Sequence, residues 1–186
     1  MKIFLMSDRP AVAVHSRPDI TTAATIVSKN TGILVKFTQN GPDANIGMAF
    51  TDRHRYGEIL DMIPMTATER IPDLKRQANG TRCYATTFRD GRHVITGAVV
   101  LIGTDLSAFD RRRCVYEEMV QLTGLLADHC AYQPSIFCED DRQTFLPTEA
   151  DRVLLRTLYD PRLRPGMTRA EAMPIAREII RELWRE

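Results

Sequence analysis

The apolar positions of this chain gather most tightly in Cys114-Val115-Tyr116-Glu117-Glu118-Met119-Val120-Gln121-Leu122-Thr123-Gly124-Leu125. Val115, Met119, Leu122 and Leu125 form one stripe of a helix. Glu117 and Gln121 share a second face four residues apart, and Glu118 lies one step round. Gly124 supplies the left-handed conformation that ends a helix. The pattern predicts a buried central helix carrying a row of oxygen-bearing side chains. Ser107, followed three residues later by Asp110, predicts a capping box at its start.

Elsewhere the pattern alternates between short apolar runs and helical spacing. Ala11 to His15 reads as a first strand. Asp19 then caps a helix with Ile20, Ala23, Ala24 and Val27 on its apolar side, stopped at Asn30-Thr31-Gly32. Ile33 to Phe37 reads as a buried strand, Gly41-Pro42-Asp43 as a turn, and Asn45 to Phe50 as a third strand. A helix over 52–63 follows, closed by Pro64. Residues 65–80 read as a short helix and a loop. Arg82 to Phe88 and His93 to Ile102 form strands joined by an Asp90-Gly91 hairpin turn. The loop 126–147 is long for a compact domain, and such loops are often functional or stapled. Thr148 caps a helix with Val153, Leu154 and Leu158 inward. Pro161, Pro165 and Gly166 form a linker. Thr168 opens a last helix ending at Trp184, which docks on the domain or on a partner.

Composition changes this picture little. At 186 residues with 44% hydrophobic and 26% charged content, the chain suits one soluble domain. A net charge of +1 points to no nucleic acid, membrane surface or acidic substrate. No apolar run is long enough to span a bilayer. Ile3 to Met6 is too short for a signal-peptide core. The chain is therefore either cytoplasmic, or an envelope protein whose secretion signal lies outside this sequence. The triple arginine Arg111 to Arg113 reads as a solvated face with Arg113 pairing to Glu117, in preference to an anion patch.

The central stretch resembles the active-site helix of the zincin metallopeptidases, especially metzincins and matrixins, whose pattern is H-E-x-x-H-x-x-G-x-x-H. With Gly124 on the pattern's glycine, Glu117 and Gln121 fall on the first two histidines, Glu118 on the catalytic glutamate and Ala127 on the third ligand. All three metal-binding histidines are absent. Ser135-Ile136-Phe137 lies where those enzymes carry their methionine turn, and Leu146 to Tyr159 is similar to the closing helix of a matrixin domain. A nearer resemblance is to an uncharacterised family of bacterial envelope proteins, domain of unknown function 2927. It rests on Arg82-Cys83-Tyr84, Cys114 to Leu125, Pro134 to Phe137 and Leu158 to Met167, and covers roughly residues 10–180. These resemblances imply an α+β, zincin-like fold. It comprises a twisted mixed sheet, a central helix and a helical C-terminal part. Residues 1–165 make one domain, and 166–186 a helix packed on it.

Four cysteines allow three pairings. Cys83–Cys114 with Cys130–Cys138 stands against four buried free thiols. The envelope resemblance favours the two disulfides and a periplasmic or envelope location.

Zinc peptidases need imidazoles at i and i+4, a third ligand and a carboxylate that activates water. Oxygen ligands suit magnesium, calcium or manganese instead. Glu117, Gln121 and His129, with Glu118 as base, are the candidate metal and catalytic set if a divalent metal is bound. Asp128, Ser135 and Phe137 are the candidate cleft and loop residues. The competing reading is that the buried polar groups satisfy one another and fix the loop 126–137 to the helix. The first functional reading is therefore a non-catalytic zincin-like module in the bacterial envelope. It needs no cofactor and binds a peptide or protein partner by strand addition. The second is a metal-dependent hydrolase on the Glu117, Gln121 and His129 site. Partner, substrate and oligomeric state are not legible.

Overall fold

Alternation along two strands sets the architecture. In β3 (Ile46–Thr51) and β5 (Ile95–Gly103), Ile46, Met48, Phe50, Ala98, Val100 and Ile102 point to one face. Ala49 and Leu101 point to the other. Both faces are apolar, so both are covered by helices, as expected for parallel strands. The computed structural model describes residues 1–63, 71–141 and 143–185.

The sheet has five strands in the order β2-β1-β3-β5-β4, with β1 (Lys2–Ser7) and β2 (Lys36–Thr38) completing the parallel part. β4 (Cys83–Arg89) runs antiparallel along β5 and forms one edge. One face packs on α1 (Pro10–Thr31), α4 (Ala108–Gln121) and α5 (Glu149–Leu158). The other packs on α2 (Tyr56–Asp61) and α3 (Ile71–Ala78) through Tyr56, Leu60, Leu74 and Ala78. α6 (Arg169–Leu183) packs on α5, burying Ile179. The class is α+β with a mixed sheet, as the sequence predicts.

Several local expectations need correction. Ala11 to His15 is not a strand. It lies in α1, which begins at Pro10 with proline in its first turn, where the missing N–H costs nothing. The first strand is instead Lys2–Ser7, whose Ile3 is fully buried. Asp19 is no cap. It sits mid-helix and joins α1 to α4, accepting from Arg112 Nε at 2.8 Å and Tyr116 Oη at 3.1 Å. The run from Ile33 yields only the three-residue β2, and Leu34 and Phe37 are exposed. The helix expected over 52–63 is a 3₁₀ turn followed by the short α2. Pro64 and residues 65–70, where the short helix and loop were expected to begin, lie outside the described residues.

Asp19 apart, the stops fall as read and the caps do so in whole or in part. Gly32 ends α1 in the left-handed region (φ 74°), and Gly124 follows α4 with φ 118°. Ser107 Oγ caps α4 by accepting from the Asp110 N–H. The reciprocal half of the box is absent, because the Asp110 carboxylate takes the Ser107 hydroxyl instead. Thr148–Asp151 and Thr168–Glu171 are complete capping boxes. Trp184 is exposed rather than docked on the domain.

All four cysteines are paired, Cys83 with Cys114 and Cys130 with Cys138. The first bond ties β4 to α4; the second closes a tight loop between α4 and α5. Disulfides of this kind form and persist in oxidising environments. No helix among the described residues is long and apolar enough to cross a membrane.

Candidate functional site

Burial of α4 is what makes its polar row consequential. Every residue from Arg113 to Gln121 is buried. A buried polar group without a partner costs about 1–3 kcal/mol, so each of these side chains must find one or stand as an exception.

Arg113 was expected on a solvated face, and here the structure differs. It is 2% exposed and reaches into the loop between α4 and α5. Its guanidinium donates to the carbonyls of Cys138 (2.8 Å), Thr144 (3.2 Å) and Asp141. Its pairing with Glu117 is present as a charge contact at 3.5 Å. Gln121 Nε2 donates to Asp128 Oδ1 at 2.6 Å. Arg113 and Gln121 therefore fasten the loop to the helix at two points.

Glu118 is the exception. It is 4% exposed, and its Oε2 has no hydrogen-bond partner among the described residues. Its neighbour Tyr56 donates its hydroxyl to the Arg82 carbonyl at 2.7 Å, so that hydrogen is already taken. Burial raises the Glu118 carboxyl well above its usual range, and the charges of Glu117 and Asp128 add to this. Burial likewise pushes Glu117 up to about 7, outweighing the Arg113 cation.

Glu118, Gln121 and Asp128 line a cleft of about 480 Å³. Its other wall is β4, from Cys83 to Thr87 and Arg89. Among the described residues β4 pairs with β5 alone, so from Ala85 to Arg89 its second edge meets no other strand among them, beside the cleft. The disulfide Cys83–Cys114 joins the two walls.

The structure brings Glu117, Glu118, Gln121 and Asp128 together. It does not bring in His129. That residue is exposed, its N–H donates to the Phe137 carbonyl at 2.7 Å, and among the described residues its imidazole makes no hydrogen bond or ion pair. Ser135 and Phe137 are not cleft residues either: both are buried between the loop and α5. Sequence reasoning missed the reason, which is Asp151. This fully buried carboxylate accepts from Tyr132 Oη and Ser135 Oγ at Oδ1, and from Ile136 N, Thr148 N and Thr148 Oγ1 at Oδ2. The Thr148-x-x-Asp151 spacing was its only sequence signal.

The donor set does not fit the zinc that the zincin resemblance implies. Glu117 faces a guanidinium, the Gln121 amide is engaged with Asp128, and no imidazole joins them. Among the described residues the one cluster of potential ligands is Cys130, Cys138 and Asp140. Both of its sulfurs are spent in a disulfide.

Two raised carboxyls give a pH dependence of definite sign. An unfolded glutamate titrates near 4.5 and folded Glu117 near 7, so the folded state holds extra protons between these values. Stability is complete below about pH 4.5 and is lost as pH rises through 7. The unfolding free energy should fall by about 1–3 kcal/mol from pH 5 to pH 8. Glu117→Gln, which needs no proton, should flatten that fall. Asp90 and Asp141 are held below 3.8 by their hydrogen bonds and titrate outside this window. A flat or rising wild-type profile in urea denaturation would contradict the assignment.

The model of one protein family, described as protein of unknown function (DUF2927), matches residues 1–178. No curated protein and no solved structure matches the chain.

Proposed function

The chain belongs to the DUF2927 family, and from its site we propose that it is a non-catalytic, zincin-like binding module of the bacterial envelope that holds an extended peptide or protein strand. The observation that carries this reading is the open edge of β4, facing the cleft across from α4. An extended segment laid there would add a sixth strand. Main-chain hydrogen bonds would supply affinity, and alternate side chains would enter the cleft. The opposite edge, β2, has only three residues against seven in β4 and offers far fewer such bonds.

The mixed sheet, the central helix packed on it and the helical C-terminal part support the zincin-like assignment. The two disulfides support an oxidising location such as the periplasm. The donor set supports binding over metal-dependent hydrolysis. Glu118 is buried with one oxygen unpartnered among the described residues, and burial disfavours its ionised form, the opposite of a base poised to activate water.

The test is backbone amide exchange with blocked hexapeptides of alternating valine and threonine, with and without added zinc. Amides of residues 85–88 should gain protection, and the peptide should be recovered intact. Cleavage of the peptide, or protection confined to β2, would overturn the reading.

A further inference from the structure

The cleft has a chemical asymmetry beyond its shape. Its β4 wall carries threonines and, at the far end, the exposed Arg89. Its α4 wall carries carboxyls: Glu118 and Asp128 line it, and Glu117 lies beside Glu118. The cations near that wall are engaged. Arg113 spends its donors on three carbonyls and faces Glu117; Arg82 pairs with Asp110 at 3.6 Å. Tyr56 donates its hydroxyl hydrogen bond to a carbonyl. Glu118 Oε2 is thus a buried carboxyl oxygen for which the described residues supply no hydrogen-bond partner.

We propose that the cleft selects a lysine side chain, its ammonium entering between Glu118 and Asp128 as the bound strand pairs with β4. This rests on the strand-addition reading and names what that strand must carry. An ammonium brings three donors and one compact charge. It satisfies Glu118 Oε2, faces the Asp128 carboxylate, and finds an acceptor in the Gln121 amide oxygen, whose nitrogen is turned to Asp128. A neutral donor brings no charge to favour the ionised form of Glu118, which burial and the neighbouring carboxyls oppose. A guanidinium needs a coplanar, two-oxygen partner for its full strength, and Asp128 already has one oxygen engaged. Because side chains of a strand alternate between its two faces, lysine should matter only at every second position of the ligand.

The experiment is calorimetric titration at pH 7 with blocked valine–threonine hexapeptides. One position at a time is changed to lysine, arginine, norleucine or glutamate. Lysine at an inward position should bind at least about 10-fold tighter than norleucine, a difference of about 1.4 kcal/mol, with glutamate weakest. Lysine at the neighbouring outward positions should give no gain. The lysine-to-norleucine ratio should fall towards one in Glu118→Gln and in Asp128→Asn. The second change is at an exposed position and spares the fold if the first does not. Equal binding of lysine and norleucine peptides would overturn the lysine proposal while strand capture stands. Equal gain from lysine at every position would reduce it to general charge attraction and also overturn it. Failure of all peptides to bind would overturn both readings.

Discussion

Replacing Asp151 by alanine lowers the free energy of unfolding by about 4–6 kcal/mol, read from urea denaturation with the disulfides intact. Five donors converge on this carboxylate, two at one oxygen and three at the other. They come from the loop at 132–136 and from the first turn of α5, so one side chain joins two segments that otherwise meet only by packing. Alanine would orphan buried donors in both. Asparagine is the sharper comparison, because its shape is the same. Its oxygen can serve Tyr132 and Ser135, but its NH₂ would then confront the N–H groups of Ile136 and Thr148. The asparagine variant should therefore be nearly as unstable as the alanine one. Near-wild-type stability in Asp151→Asn would show that packing, not the carboxylate, holds the loop. Against typical total stabilities of 5–15 kcal/mol, this single group is a large fraction.

Arg113→Met should cost about 4–5 kcal/mol at pH 8, and clearly less at pH 5. Without the cation burial pushes the Glu117 carboxyl up further, so at pH 8 folding of the variant must protonate a group that is ionised in the unfolded chain, and breaking a buried pair on one side is worth about 3–5 kcal/mol. The carbonyls of Cys138, Asp141 and Thr144 lose their donors as well. At pH 5 Glu117 takes up a proton, since its folded pKa lies near 7, and the charge penalty disappears while the carbonyl penalty stays. The double variant Arg113→Met, Glu117→Gln should recover stability at pH 8 relative to Arg113→Met alone, a coupling that a thermodynamic cycle isolates. An equal loss at both pH values would mean that Glu117 does not titrate between them.

The residues explain which parts of the fold could be read in advance. The helical stripe through Val115 and Met119, which ends at Gln121 and does not reach Leu125, the Asp90-Gly91 turn between two strands and the threonine caps are local patterns. β1 and the start of α1 were exchanged because Lys2–Ser7 and Ala11–His15 are both short apolar runs. Periodicity alone does not separate a strand from a buried helical turn at that length. At the site, the row Glu117, Glu118 and Gln121 was legible as a row. Its partners were not, because they come from far along the chain. The Arg113 acceptors lie 25 to 31 residues away, and the Asp151 donors come from a loop without periodic pattern. Asp128 instead of His129 meets Gln121 because the His129 backbone is drawn to Phe137, a choice that spacing cannot foretell.

The bond between Cys83 and Cys114, 31 positions apart, makes the strand wall and the helix wall members of one covalent ring. The exposed turn at Asp90–Arg92 lies on that ring. A protease that cuts there opens the ring but frees neither wall, because the two fragments stay linked beside the cleft. The groove is in this sense built to outlast damage to its own backbone, and only reduction combined with cleavage would take it apart.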